Sequence, residues 1–214
     1  MNCHNVRRDG GAVGQVEQAM AEGSMSTPHH GNVQADLMLD MGGYTWGETL
    51  PTSPHGTLIE DSCIGCHMAA TPGAEEPGNN TVGEHTFRMT SAIDGTANLA
   101  ACKSCHSLAE SFEFEARRDY DGDGALETNE EEIAGLRELL WPQMMANGLV
   151  EDDSRAGFAL PETVSEDLAG AVWNYFFTEP AGNAVHNLRY TVSLLQLTYE
   201  KLAGEAVPGA FIIQ

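Results

Sequence analysis

The chain has 214 residues, 42% of them hydrophobic, and sets 32 acidic side chains against 10 basic ones for a formal net charge of −22. That balance argues against nucleic acid and anionic membrane surfaces, both of which attract Lys and Arg, and is compatible with a salty medium, a basic partner or bound cations. No run of about 18 apolar residues exists, so no membrane span is expected, and 23 Gly with 9 Pro suit a loop-rich fold of one large or two small domains.

In chain order, the sequence opens Met1-Asn2-Cys3-His4, followed by Asn5, Val6, Arg7 and Arg8. These four are the last positions of a Cys-x-x-Cys-His pentapeptide that recurs whole further on. Met1 therefore reads as an internal residue, and the chain as the C-terminal part of something longer; a group held by a single thioether at Cys3 is the other reading. No signal peptide begins at Met1. Val13, Val16 and Met20 have helical spacing, and Gly23 marks a stop. A loop, Thr27-Pro28-His29-His30-Gly31, then leads to an amphipathic turn through Val33, Leu37 and Leu39. Gly42-Gly43-Tyr44-Thr45-Trp46-Gly47 and Pro51-Thr52-Ser53-Pro54-His55-Gly56 read as turns, and no segment alternates for long enough to be a central strand.

Cys63-Ile64-Gly65-Cys66-His67 and Cys102-Lys103-Ser104-Cys105-His106 are complete Cys-x-x-Cys-His pentapeptides, the attachment signature of c-type haem. Thiols three residues apart lie on the same side of one helical turn, where they can add to the two vinyl groups along one porphyrin edge. The histidine that follows is carried beneath the ring as proximal iron ligand. Two Cys-x-x-Cys pairs could instead make a four-cysteine zinc site or a thioredoxin-like redox pair. Zinc gives no reason for a histidine after each second cysteine, and a redox pair needs no second copy. With Cys3 included, all five cysteines fall in whole or partial haem motifs, leaving no pair for a disulfide. Three haems c are expected, with His4, His67 and His106 proximal, and porphyrin replacing part of the ordinary core.

Asp119-Tyr120-Asp121-Gly122-Asp123-Gly124-Ala125-Leu126-Glu127-Thr128-Asn129-Glu130 fits an EF-hand calcium loop. Asp119, Asp121 and Asp123 supply side-chain oxygens, Ala125 its carbonyl, Glu127 a ligand direct or through water, and Glu130 the bidentate carboxylate. Gly124 permits the sharp turn and Leu126 is expected to anchor the loop to the interior. The competing reading is an acidic, solvated turn. Ile133, Leu136, Leu139 and Leu140 form the stripe of an exiting helix that should end near Pro142. The entering half is poorer, because Phe112 and Phe114 alternate with glutamates. A single such loop is expected to be a structural clip, not a switch.

Thr163 or Ser165 caps the next helix, with Glu166 and Asp167 in its first turn and Leu168, Val172, Trp173 and Phe176 inward. The last helix runs from about His186 to Leu202, with Val192, Leu195, Tyr199 and Leu202 on one side and Gly204 as C-cap. The apolar tail from Val207 to Gln214 should dock against its own body or a neighbour.

Five histidines lie outside the motifs: His29, His30, His55, His85 and His186. Each six-coordinate iron needs a distal ligand, histidine is the commonest nitrogen ligand, and Met68 and Met89 are the rivals. His55, His85 and His186 are assigned as distal ligands, with one of His29 and His30 as a further one. That leaves about one ligand more than three haems require, which would serve a haem upstream or on an adjacent subunit.

The order Cys63 to Met68, then Gly83-Glu84-His85-Thr86-Phe87, then Cys102 to His106, with Val185-His186-Asn187 before a helix, resembles the C-terminal half of multihaem c-type cytochromes. Relatives of the pentahaem and octahaem nitrite reductases belong to that group. Leu188 stands where their His-Asn-Pro turn has proline. The resemblance covers most of the chain from about residue 27 onward. It implies haem attachment outside the cytoplasm, hence a periplasmic, extracellular or cell-surface location. The expected fold is mainly α, loop-rich and haem-dominated, with little β. Its regions are a haem-binding stretch (1–110), a calcium loop with its helix (111–142) and C-terminal helices (143–214), all in one compact unit. The expected function is electron transfer through mostly bis-histidine haems, with other redox proteins or identical subunits as partners, including a filament-like homopolymer. The alternative is a multihaem reductase or oxidase of small nitrogen or sulfur compounds, which needs an iron with an open distal position. The resemblance to nitrite reductases would require lysine in place of a motif histidine, and neither complete motif has it. A calcium-dependent scaffold that merely retains haems is a third reading.

Overall fold

The computed structural model describes residues 10–28, 33–152, 157–179 and 182–213, so Cys3, His4, His29 and His30 lie outside the described residues. In chain order the helices are α1 (Gly11–Glu22), α2 (Gln34–Met38), α3 (His55–Leu58), α4 (Cys63–His67), α5 (Asn129–Ala146), α6 (Glu166–Phe177) and α7 (Asn183–Ala203). A short hairpin pairs β1 (Val150–Glu151) with β2 (Phe158–Ala159) in antiparallel register. Helix accounts for 41% and strand for 4%, so the class is mainly α. Among the described residues no helix is long and apolar enough to cross a membrane.

The chain divides into two compact units. One is built from Met1–Ser53 and Glu115–Gln214, the other from Pro54–Phe114. The reason is packing: α1 lies against α6, and α2 against α7. The N-terminal helices thus share a core with the C-terminal ones, and both complete motifs fall on the segment between.

In the first unit, Ser165 caps α6 by accepting the Leu168 N–H at 3.2 Å, and Glu166 and Asp167 face the positive helix end. Leu168, Val172, Trp173 and Phe177 are buried. Phe176 is only half-buried and stacks on Phe158 at 5.2 Å. Residues 176 and 177 straddle the turn after Trp173, and the core takes the second. Along α7, Val192, Leu195, Tyr199 and Leu202 are all buried, and Gly204 ends the helix at φ 76°. Each such side chain contributes about 1.5–3 kcal/mol by leaving water. Gly23 stops α1 at φ 64°, yet the buried face is Gln15, Val16 and Ala19, with Val13 and Met20 exposed. Helix α5 runs through Pro142 to Ala146 instead of ending at the proline. Pro142 and Glu138 are both exposed, so the one missing hydrogen bond falls on the side where water can replace it.

Helix α7 breaks at Asn187 (φ −161°, ψ 77°). This fully buried amide accepts the Ser53 N–H at 2.7 Å and the Tyr190 N–H at 3.2 Å. It donates to the Leu37 carbonyl at 3.0 Å and to Thr52 Oγ1 at 2.9 Å. The asparagine after His186 therefore caps the long part of α7 and clasps the chain where it leaves this unit.

The second unit is built differently. Its helices, α3 and α4, are about one turn each, and a 3₁₀ turn at Glu84–Thr86 follows them. Only Val82, Leu99 and Ala109 are buried apolar side chains here, whereas Leu58, Ile64, Met68, Phe87, Ile93 and Leu108 are exposed. Its four thiols are unpaired, so no disulfide ties it. Turn hydrogen bonds hold it instead: Asn98 Nδ2 donates to the Ala69 and Ala70 carbonyls at 3.3 and 3.2 Å. The exposed Asp94 carboxylate accepts the Thr96 N–H at 3.0 Å and the Gly78 N–H at 3.2 Å.

Two outcomes are expected. Asn187→Ala removes four bonds from a buried node and costs about 2–4 kcal/mol of stability in chemical denaturation. The backbone donor of Thr96, helped by Ser91, holds the Asp94 carboxyl down to about 2. Its folded value lies below its unfolded one, so the turn gains stability above about pH 4 and loses it as pH falls through about 2. Amide exchange at Gly78 and Thr96 should accelerate over that window, and Asp94→Asn should abolish the pH dependence.

Candidate functional site

The first motif is α4 itself. Cys63 to His67 make one helical turn, entered through Ser62 in a rare left-handed conformation (φ 49°, ψ −125°). The second motif winds as consecutive turns, with the His106 N–H donating to the Cys102 carbonyl at 2.7 Å. In both, the two cysteines stand three residues apart on turning backbone, as the spacing requires. Burial pushes the Cys66 thiol up, and the neighbouring Cys102 and Cys63 push it the same way; burial also raises Cys102. Among the described residues no three Cys or His ligand atoms lie within 4.8 Å of one another.

His67 Nδ1 lies 2.9 Å from the Phe87 carbonyl, with the two rings stacked at 4.7 Å and 11°. The carbonyl accepts, so Nδ1 carries the proton and the lone pair resides on Nε2, the tautomer of an oriented metal-binding histidine. Phe87 holds φ 58° to make that contact, and His85 sits exposed two residues earlier on the same 3₁₀ turn. The rings of His55 and His106 stand 6.1 Å apart, and Phe114 lies 5.3 Å from His106. His186, in the other unit, is half-buried, with Nδ1 2.6 Å from the Gly182 carbonyl. The segment 54–114 fits a covalently held porphyrin on three counts: paired thiols on single turns, a histidine fixed by a carbonyl, and apolar side chains left uncovered. Cys63 and Cys66 would hold one ring above His67, and Cys102 and Cys105 another above His106.

The acidic loop folds as successive Asx turns. Asp119 accepts the Gly122 and Gly124 N–H groups at 2.6 and 2.9 Å, Asp121 accepts Asp123 N–H at 3.1 Å, and Asp123 accepts Ala125 N–H at 2.7 Å. Gly124 takes φ 92°, open to glycine and strained for other residues. Ligand oxygens gather in two overlapping groups, Asp119–Asp121–Glu132 and Asp121–Asp123–Glu127, each within 4.8 Å. Burial, then the charges of Asp123, Glu132 and Asp119, push the shared Asp121 carboxyl up; Glu127 is also raised.

The glutamate that faces these aspartates is Glu132, not Glu130. Glu132 is buried and accepts the N–H groups of Tyr120 at 2.6 Å, Asp121 at 3.3 Å and Glu127 at 3.4 Å. Glu130 turns away and accepts the Ala184 N–H at 3.1 Å, at the start of α7. The cause is the capping box at the start of α5: Thr128 accepts the Glu131 N–H, and Glu131 accepts that of Thr128 at 2.9 Å. This fixes the register of three consecutive glutamates. The Thr128-x-x-Glu131 spacing was visible in the sequence and would have pointed past Glu130. Leu126 is 62% exposed and anchors nothing. No helix enters the loop; Glu115 bridges to Thr128 instead. The C-terminal tail docks here on its own chain. The Phe211 N–H donates to the Asp119 carbonyl at 2.7 Å, Gln196 Nε2 donates to Tyr120 and Phe211 carbonyls at 3.0 and 2.9 Å, and the Pro208 carbonyl packs on Gly122.

No protein-family model matches the chain, and comparisons with curated proteins and with solved structures also find no match. Calcium at about 10 mM is expected to stabilise the protein by about 1.4–2.7 kcal/mol if the loop binds at roughly 10⁻⁴ to 10⁻³ M, read as a rise in Tm over a chelated sample. Glu132→Gln should abolish that rise and Glu130→Gln should keep it. The rise should shrink on acidification, because the raised carboxyls of Asp121 and Glu127 take up protons before ordinary ones do.

Proposed function

We propose that this chain is an electron-transfer protein of the multihaem c-type cytochrome kind. Cys63 and Cys66 hold one haem, Cys102 and Cys105 a second, and Cys3 with His4 contributes to a third. The observation that carries this reading is the imbalance of the segment 54–114: three buried apolar side chains, six large exposed ones and no disulfide, around two complete attachment motifs. A segment of this size cannot repay its ordering entropy from so small a core, and flat apolar groups bolted to it would supply one. The resemblance of the motif order to multihaem cytochromes points the same way.

Each residue then has a task. The paired thiols fix ring position through thioethers, which lets the edges of successive rings stay close without a closed protein shell. The Phe87 carbonyl keeps His67 in one tautomer and raises its basicity as a ligand. Leu58, Ile64 and Leu108 exclude water from ring faces and edges, and lower local polarity favours a defined potential. Haem, when bound, supplies reversible one-electron storage on iron. The calcium loop acts as a clip between α5, α7 and the tail. A charge of −22 favours a basic redox partner or end-to-end contact with identical subunits in a salty periplasmic or extracellular medium.

Intact mass spectrometry of protein matured with a cytochrome c assembly system should show whole haems in excess of polypeptide mass, one for each complete motif. Replacing Cys63 and Cys66 together by Ala should remove one haem. A colourless protein with titratable thiols at all four positions would sink the reading.

A further inference from the structure

We propose that His55 and His106 are the two axial ligands of a single iron. The second motif's haem is thereby assigned its distal histidine from α3. The assignment rests on the haem reading above and adds to it a specific pairing among the histidines outside the motifs.

The rings of His55 and His106 have centroids 6.1 Å apart and planes 79° apart. An iron that takes an imidazole nitrogen at about 2 Å on each face separates ring centroids by about 6 Å, since each centroid lies roughly 1 Å beyond its nitrogen. A direct edge-to-face contact also falls in this range, so surroundings must decide. His106 is exposed and His55 half-buried, which is poor shelter for a packing contact. Leu58, one turn after His55, is 73% exposed, and Leu108, just after His106, is 92% exposed. Phe114 also approaches His106, at 5.3 Å. Apolar groups left open to water around two histidines are what a porphyrin plane between those histidines would cover.

The alternative distal residue of this unit is placed elsewhere. His85 shares the Glu84–Thr86 turn that delivers Phe87 onto His67, so it belongs with the first motif. In the pairing proposed, each neutral imidazole donates a nitrogen lone pair to iron, and no electron or proton is transferred. Near-perpendicular ligand planes give a low-spin ferric iron with a strongly anisotropic EPR signal.

The test uses full-chain, haem-loaded protein and its His55→Ala variant. The variant should keep the same haem count by mass. One haem should pass from low spin to high spin, bind carbon monoxide when reduced, and return to low spin with free imidazole. In a background where Cys102 and Cys105 are both Ser, and the second haem is absent, His55→Ala should change no remaining spin state. Haems that all stay low-spin in His55→Ala, or a high-spin signal that persists in the Cys102/Cys105 background, would overturn the pairing and leave the haem reading standing. Wild-type protein without haem would instead defeat both. If His55→Ala does not mature, His55→Met serves: it should raise the potential of one haem alone, and unchanged potentials throughout would overturn the pairing.

Discussion

A stretch of chain that buries almost nothing apolar governs the architecture of this protein. Between Pro54 and Phe114 the backbone is ordered by turns and side-chain-to-backbone hydrogen bonds, with Val82, Leu99 and Ala109 as its buried apolar contribution. Small domains near 60 residues are marginal even with a full core. Turn hydrogen bonds exchange water partners for protein partners at about 1 kcal/mol each, too little to order the segment alone. The proposed porphyrins would supply the missing apolar contacts at cysteines the unit already carries.

The first unit has the opposite economy. Its core is continuous, from Val16 and Leu37 through Leu136, Leu140 and Trp173 to Leu195. Several buried polar groups inside it serve as joints. Asn174 exchanges bonds with Tyr44 backbone groups at 2.7 and 2.8 Å and reaches Thr198 at 2.9 Å, while Trp173 donates to the Gly42 carbonyl at 2.8 Å. Burial pushes the Tyr190 phenol up to about 12, so it stays a neutral acceptor for the Gly43 N–H. The acidic loop joins the same framework. Glu130 caps the start of α7 one turn before Asn187, and the turn between them carries His186.

Much of this was legible in the sequence, where local chemistry alone decides the outcome. Ser165, Gly23 and Gly204 mark helix ends because caps act through adjacent backbone. The stripe of α7 is legible because four large residues repeat at one period. The misreadings arose where two local options differ little and tertiary packing chooses. Phe176 and Phe177 border the same face; Val13 and Met20 match a helical period that the core leaves outside. Pro142 stops a helix only when its missing bond cannot reach water. Glu130, Glu131 and Glu132 offer the same carboxylate at three angles, and the cap at Thr128 selects among them. The division into units could not be read along the chain, because it depends on α1 and α2 finding partners far downstream.

That topology sets an order of assembly. Along the chain, α1 and α2 lie far ahead of α6 and α7, the surfaces they bury against. Packing these helices closes a long loop, which slows folding. The cysteine-bearing segment is meanwhile flanked by an unfinished shell at both ends, Ser53 without Asn187 and Glu115 without Thr128. In the reading proposed, its thiols would stay within reach of the haem-attaching machinery for as long as that closure takes.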